Sequence, residues 1–517
     1  MTQGPEPPSP GAGGQPGSPG GGAAAEAAST RINRLFKNTG VYAVGDIAIK
    51  LTTAFLAPLY TALLLPEEYG VWSMGVMVLT GLNHLYNPAL HGAVNRFYYE
   101  HEHDAARRRR FDGTISTFLI LWSILLSGAL LASGPWLFER LFNALPYEPY
   151  GALITWTALL NVLSVVPKAT WTAAERSKAF VGINMLASAV NIFGALALVA
   201  LMDEGVLGLF EAKLLSTLIV AWPFARYLWR EVGFAFHGAD LWAAMRFSLP
   251  LVPHLLAHWA LSMADRIVIE ALLGIGAVGI YGSAYIFTEA VSMVANSMNR
   301  AWVPLFSRAY DDVAEHPLIA RTITYFMLAV SGTSGALAVL SPTLVRTLYA
   351  DKYAAAAEVA AILSLGGFFL GLYLVYVSGL FFYKKNNTIP IITLVAGAIN
   401  VGLNILWIPH MGIAGAAWAT LVAYAVLALG VRWACRRVTR LPFERDRMLK
   451  LAVAVTPSVA LGMAIDGLWS WPVELPAKLA LLALAPLILA LWGFWTPEEM
   501  SWARARVRSA LRRPPRP

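Results

Sequence analysis

About fourteen apolar segments of roughly 20 residues each follow one another along this chain, and that succession limits its fold more than any other feature. Inside a hydrocarbon layer every backbone group must be satisfied internally, so such segments cross as helices. Their approximate limits are 39–64, 70–96, 113–133, 151–173, 181–201, 206–229, 246–272, 277–304, 321–341, 355–382, 388–408, 412–433, 448–467 and 476–495. Only 14% of the residues are charged and 57% are hydrophobic, with mean hydropathy +0.57. Soluble domains carry roughly 25% charge. The expectation is an all-α polytopic membrane protein with about 14 transmembrane helices.

The net charge of +8 raises the question of nucleic acid. The positions of the bases answer it. With the N-terminus in the cytoplasm, about 30 of the 39 Lys and Arg fall on inward segments, including Arg107–Arg110, Lys384, Lys385, Arg436 and Arg437. Only about four, Arg140, Arg346, Lys352 and Lys478, fall on outward loops. That is the positive-inside pattern of a protein with both termini in the cytoplasm, and nucleic acid is not expected as a partner. The single Cys435 excludes an intrachain disulfide framework, and its place beside Arg436 puts it on the reducing side. Residues 1–30 are rich in Pro, Gly and Ala and are expected to be disordered. No cleaved signal peptide is expected, the first span inserting as its own signal. The basic tail 498–517 has the charge pattern of a short helix lying on an anionic inner leaflet.

An internal repeat organises the spans. Leu64–Ser73 aligns with Leu273–Gly282, placing Gly70 opposite Gly279; Glu204–Leu214 aligns with Met411–Leu421, placing Gly205 and Gly208 opposite Gly412 and Gly415. The two anchors have nearly equal offsets, so a six-helix unit is duplicated. Six is even, hence both copies enter the membrane with the same orientation, as parallel repeats. The expected division is an N-lobe at 31–230, a C-lobe at 231–434, two extra helices at 435–497 and the tail.

The second repeat begins in a segment rich in ionisable groups, Arg246–Tyr285. A charge near a bilayer centre costs about 2.5–3.5 kcal/mol on insertion scales and usually faces the bundle interior or a water-filled cavity. At 100° per residue, His254, His258 and Asp265 share one stripe, and Arg266 and Glu270 are i,i+4 neighbours able to pair. Glu289 stands in the middle of the next segment, with Tyr285, Ser292 and Asn296 near its face and no base three or four residues away. An unpaired carboxylate there is suited to cycling a proton or binding sodium.

The residues Leu65–Met74, Arg96–Tyr98, Met263–Tyr285, Ala301–Phe306 and Gly412–Leu421 resemble the polysaccharide-transporter, O-antigen flippase branch of the multidrug/oligosaccharidyl-lipid/polysaccharide exporter superfamily. The resemblance covers most of 31–440. It implies two lobes about a central cavity, alternating access, and a cargo of oligosaccharide on undecaprenyl diphosphate in a bacterial cytoplasmic membrane. It also implies coupling to H+ or Na+, no cofactor, and work beside the polysaccharide polymerase machinery. Such a cargo needs a cationic cavity for its phosphates, for which Arg and Lys are suited. The candidates are Lys50, His84, His91, Arg96, His254, His258, Arg266 and Arg300, with Asp46, Asp265 and Glu289 as ion-coupling acids. Each has a plainer alternative: Asp46 and Lys50 neutralise each other at i,i+4, Arg96 and Arg300 snorkel, and the histidines pack. The readings weighed against the flippase are a multidrug or organic-cation antiporter of the same superfamily and a membrane glycosyltransferase or polymerase. The internal cations oppose the first and the short loops oppose the second. Gly274–Gly279 fits G-x-G-x-x-G but lies in a turn between two membrane helices, not after a strand. No catalytic or metal-binding set of residues is present in the sequence.

Overall fold

The computed structural model describes residues 56–501 apart from positions 102, 143, 311, 384, 386, 387 and 498. The described chain is helical, with no strand among the described residues. Eleven of its helices are long and apolar enough to cross a membrane, and the chain is a multi-pass membrane protein. Most of the expected first span, with Asp46 and Lys50, lies outside the described residues. The expected second span departs from the simple reading: it is two helices, α1 (Pro66–Tyr86) and α2 (Leu90–Glu100). Pro88 bars a continuous ladder. Ala89 between them takes φ 58°, and the Asn87 carboxamide caps the Leu90 N–H at 3.0 Å.

Five helices complete the first group. They are α3 (Ala105–Leu141), α4 (Ala152–Asn161), α5 (Val165–Ala173), α6 (Ser177–Leu196) and α7 (Gly205–Tyr227). Asp104 caps α3 by accepting the Arg107 N–H. A linker helix, α8 (Gly238–Ser248), is tied back to α3 by Arg110 on Asp240 at 3.1 Å and to the α1–α2 break by Ser248 on the Ala89 carbonyl. Then come α9 (Val252–Leu273), α10 (Ile275–Ala309), α11 (His316–Leu348), α12 (Ala356–Phe382), α13 (Thr388–Met411) and α14 (Ile413–Val438). These pack chiefly on one another, α12 at their centre. Two more, α15 (Arg445–Ala464) and α16 (Trp471–Leu491), lean on α11.

The repeat anchors do matching work in the two halves. Gly205 and Gly412 both adopt positive φ, 56° and 60°, at the turn that opens α7 and α14. Gly208 and Gly415 then let each helix pass close to the one before it, at Leu198 and at Trp407. Gly70 and Gly279 lie against each other where α1 crosses α10. A Cβ on Gly70 would stand 2.1 Å from the Ile275 carbonyl oxygen, and one on Gly279 1.9 Å from that of Pro66.

The extra helices are fixed by charge at both ends. At one end Lys478, expected in a loop but fully buried in α16, bonds Glu474 at 2.7 Å, Asp466 at 2.5 Å and the Thr343 hydroxyl of α11 at 2.8 Å. Arg346 pairs with Asp466 as well. At the other end Arg447 pairs with Glu444 at 3.1 Å and Glu499 at 3.2 Å, while Glu444 accepts from Thr324 of α11.

Candidate functional site

The polar centre of the molecule is where α1, α9, α10 and α14 meet. Asp265 and Arg266 are each 2% exposed. The Asp265 carboxylate accepts the Tyr281 hydroxyl at 2.7 Å, the Arg266 backbone N–H at 2.8 Å and an Arg266 guanidinium N–H at 3.4 Å. Arg266 Nε donates to Ser73 Oγ of α1 at 3.3 Å. Its guanidinium also lies 4.6 Å from the Tyr285 ring centroid, within cation–π range. From Tyr281 the network continues to Thr420 of α14, which accepts from Asn400 of α13, itself bonded to Asn404. One buried charged pair therefore ties an N-terminal helix to four C-terminal ones. Its partners come from other helices, beyond what i,i+4 spacing identifies. Glu270, one turn after Arg266, accepts the Ala144 N–H at 2.7 Å from the loop after α3.

The closed seam between the groups lies at this end. Besides the Gly70–Gly279 crossing, the Tyr69 and Tyr353 rings meet edge to face, 5.9 Å between centroids. Tyr353 donates to the Leu64 carbonyl, and Lys352 to that of Ala62. Farther along, the Trp259 indole N–H of α9 bonds the Met77 carbonyl. Toward the other end polar residues become exposed: Glu289, Asn296 and Arg300 on α10, and His91 and Arg96 on α2. His84 on α1 is half-buried.

The predicted cavity residues thus fall into several groups. Asp265 and Arg266 form the buried centre. Glu289, expected to be unpaired, is exposed on α10 and within electrostatic reach of Arg266. Arg96 is paired with Glu100 at 3.2 Å and lies over the Phe247 ring of α8, so it is held at the end of α2. His91 bonds Asn87 at the helix break. Arg300 reaches Ser297, one turn earlier. The side chains of His254 and His258, like Asp46 and Lys50, lie outside the described residues. No group of three or more His, Cys, Asp or Glu able to hold a metal occurs among the described residues.

Two features were missed in the sequence. One is an apolar groove of about 630 Å³ between α11, α12, α14 and α15, lined by Met327, Phe368, Phe369, Trp418, Leu421, Val455, Val459 and Met463. It backs onto the polar centre, since Thr420 and Leu421 are neighbours on α14. The other is a polar slot among α4–α7 holding Lys168 and Lys213. Both lysines lie within apolar spans, the signal that singled out Arg266.

The architecture is that of a multi-pass membrane protein with a central polar seam between helical groups and further helices attached to one of them. Residues 60–358 match the model of a family described as polysaccharide biosynthesis protein. The chain belongs to that family. It is 25% identical over 409 residues to a protein of the Lsg locus of Haemophilus influenzae, covering 74% of this chain and 95% of that one. Among solved structures it is similar to the lipid II flippase MurJ in an inward closed conformation, with TM-score 0.70 and 14% identity, over 87% of this chain and 98% of that one. It is also similar to a multidrug resistance MATE family transporter in an inward-facing conformation, with TM-score 0.63 and 15% identity, over 77% of this chain and 98% of that one.

Proposed function

We propose that this protein moves an oligosaccharide linked to undecaprenyl diphosphate from the inner to the outer leaflet of a bacterial cytoplasmic membrane. It does so by alternating access between lobes at 31–230 and 231–434, with both termini in the cytoplasm. The observation that carries the reading is the adjacency of a polar seam and an apolar groove. A lipid-linked saccharide is polar at one end and hydrocarbon at the other, and α14 borders a surface suited to each. The seam is closed at the end that the Lys/Arg pattern places outside, and its polar residues are exposed toward the cytoplasmic end, the state in which cargo is loaded. Arg266 and Arg300 supply the positive potential for the diphosphate, and Glu289, facing Arg266, couples the cycle to H+ or Na+. The structurally similar MurJ is a lipid II flippase, and the family is one of polysaccharide biosynthesis.

A strain deleted for the gene tests the reading. It is expected to accumulate lipid-linked oligosaccharide on the cytoplasmic leaflet while total synthesis continues, with reversal by the wild-type gene and not by Arg266→Ala. Absence of accumulation, with sensitivity to cationic drugs instead, would replace it with the antiporter reading.

A further inference from the structure

We propose that the N-terminal helix group contains a second binding site, a slot in which Lys168 and Lys213 take an anionic group of a hydroxyl-bearing ligand. The slot measures about 440 Å³, within the range of small-ligand sites, and lies among α4, α5, α6 and α7. Lys168 of α5 and Lys213 of α7 both line it and are close enough to repel each other. Asn184, Ser188 and Asn191, spaced four and three residues apart, present one polar face of α6 to it. Asn161 adds a carboxamide whose N–H reaches Asn83 Oδ1 of α1 at 3.3 Å, connecting the slot to the helix of the central seam.

The contrast with the other buried cations carries the argument. Arg266 has Asp265, Lys478 has Glu474 and Asp466, and Arg447 has Glu444 and Glu499. In the slot two like charges share one intramembrane space, and no carboxylate among the described residues lines it. Lys168 has the Phe224 ring at 5.7 Å, and neither ammonium has an ion pair among the described residues. Cations so placed are costly without a counter-charge. The counter-charge that the geometry accommodates is a ligand anion, held by two point-like ammonium groups and flanked by amides and a hydroxyl that suit sugar hydroxyls. The choice of anion rests on the flippase reading: it is either the diphosphate of the cargo or the carboxylate of an acidic sugar.

The test uses the full chain in lipid nanodiscs and an amine-acetylating reagent, with modification of each lysine read by peptide mass spectrometry. The probes are sodium pyrophosphate and sodium glucuronate, with sodium chloride as the ionic-strength control. At a probe concentration tenfold above Kd, acetylation of Lys168 and Lys213 is expected to slow by about tenfold, while Lys352 and Lys385 are unaffected. Protection by pyrophosphate alone assigns the diphosphate, and protection by glucuronate alone the acidic sugar. Protection by neither overturns the site. This readout uses wild-type protein and does not depend on a variant folding. A Lys168→Gln/Lys213→Gln variant separates the two claims in a flipping assay. Wild-type-like flipping by the folded variant overturns the slot and leaves the flippase standing. Protection of both lysines in a wild-type protein that flips nothing upholds the slot and overturns the flippase.

Discussion

Asp265 and Arg266 are neighbours in sequence and share one buried environment, so neither is removable alone without stranding the other's charge. Breaking a buried pair from one side costs about 3–5 kcal/mol. Asp265→Asn and Arg266→Ala are each expected to lower the thermal unfolding midpoint in detergent. The joint Asp265→Leu/Arg266→Met replacement is expected to recover most of the loss. Equal destabilisation by the double variant would show that the pair's polar bonds to Tyr281 and Ser73, rather than charge balance, hold the centre. The presence of ionisable groups in this span was legible because such groups are rare in apolar runs. Their partners were not, because Ser73, Tyr281 and Thr420 come from other helices and spacing within one helix cannot reveal them. Lys168 and Lys213 carried the same signal, but Lys168 stands alone in its span and Lys213 has only Glu211 close by, without the dense run of ionisable residues that marks Arg246–Tyr285. Glu289→Gln is expected to abolish the ion dependence of transport, measured as the response to an imposed H+ or Na+ gradient; an unchanged response would remove Glu289 from the coupling step.

At the scale of helices, glycine sets the geometry. At Gly279 any side chain meets the Pro66 backbone, which cannot move aside as a flexible side chain does. Gly279→Leu is therefore expected to keep the outer seam open. Cysteine substituted at Ser73, buried beneath that seam, would become reactive to a membrane-impermeant thiol reagent from outside in a Cys435→Ser background. Unchanged protection would mean that the crossing is not the gate. Gly412→Ala forces a Cβ onto a left-handed backbone and is expected to cost about 1–2 kcal/mol in unfolding experiments without changing accessibility. The anchor glycines were legible because a crossing or a tight turn makes a local demand that only glycine meets. The break in the second span was less visible, although Pro88 marked it: an apolar segment continues in hydropathy where its hydrogen-bond ladder stops.

Across the whole molecule, ion clusters join α15 and α16 to α11 at both ends of the span. The apolar groove lies between these tied helices. Ala460→Trp, which projects a ring from the groove's exposed wall, is expected to reduce movement of a lipid-linked cargo strongly while leaving the fold intact, measured by flipping rate and unfolding midpoint together. The C-terminal clamp also carries a pH dependence. Burial raises the Glu499 pKa, but bonds from the Tyr325 hydroxyl, the Thr496 N–H and Arg447 outweigh it and hold that carboxyl below the usual glutamate value. A depressed carboxylate stabilises fully above its unfolded pKa and loses that contribution as pH falls toward its folded one. The clamp is accordingly expected to loosen only in the acid range below the ordinary glutamate pKa. The helical, multi-pass architecture was legible from hydropathy because the bilayer admits so few solutions. The groove was not, since an apolar residue facing lipid and one facing a groove look alike in a sequence.

The most direct measurement is made in proteoliposomes that contain the purified protein and undecaprenyl-diphosphate-linked oligosaccharide. The time course of saccharide reaching an externally added glycosidase is recorded. The flippase account predicts protein-dependent exposure, accelerated by an ion gradient and lost in Arg266→Ala. Saccharide that stays protected, while a cationic dye crosses in response to the same gradient, would contradict it.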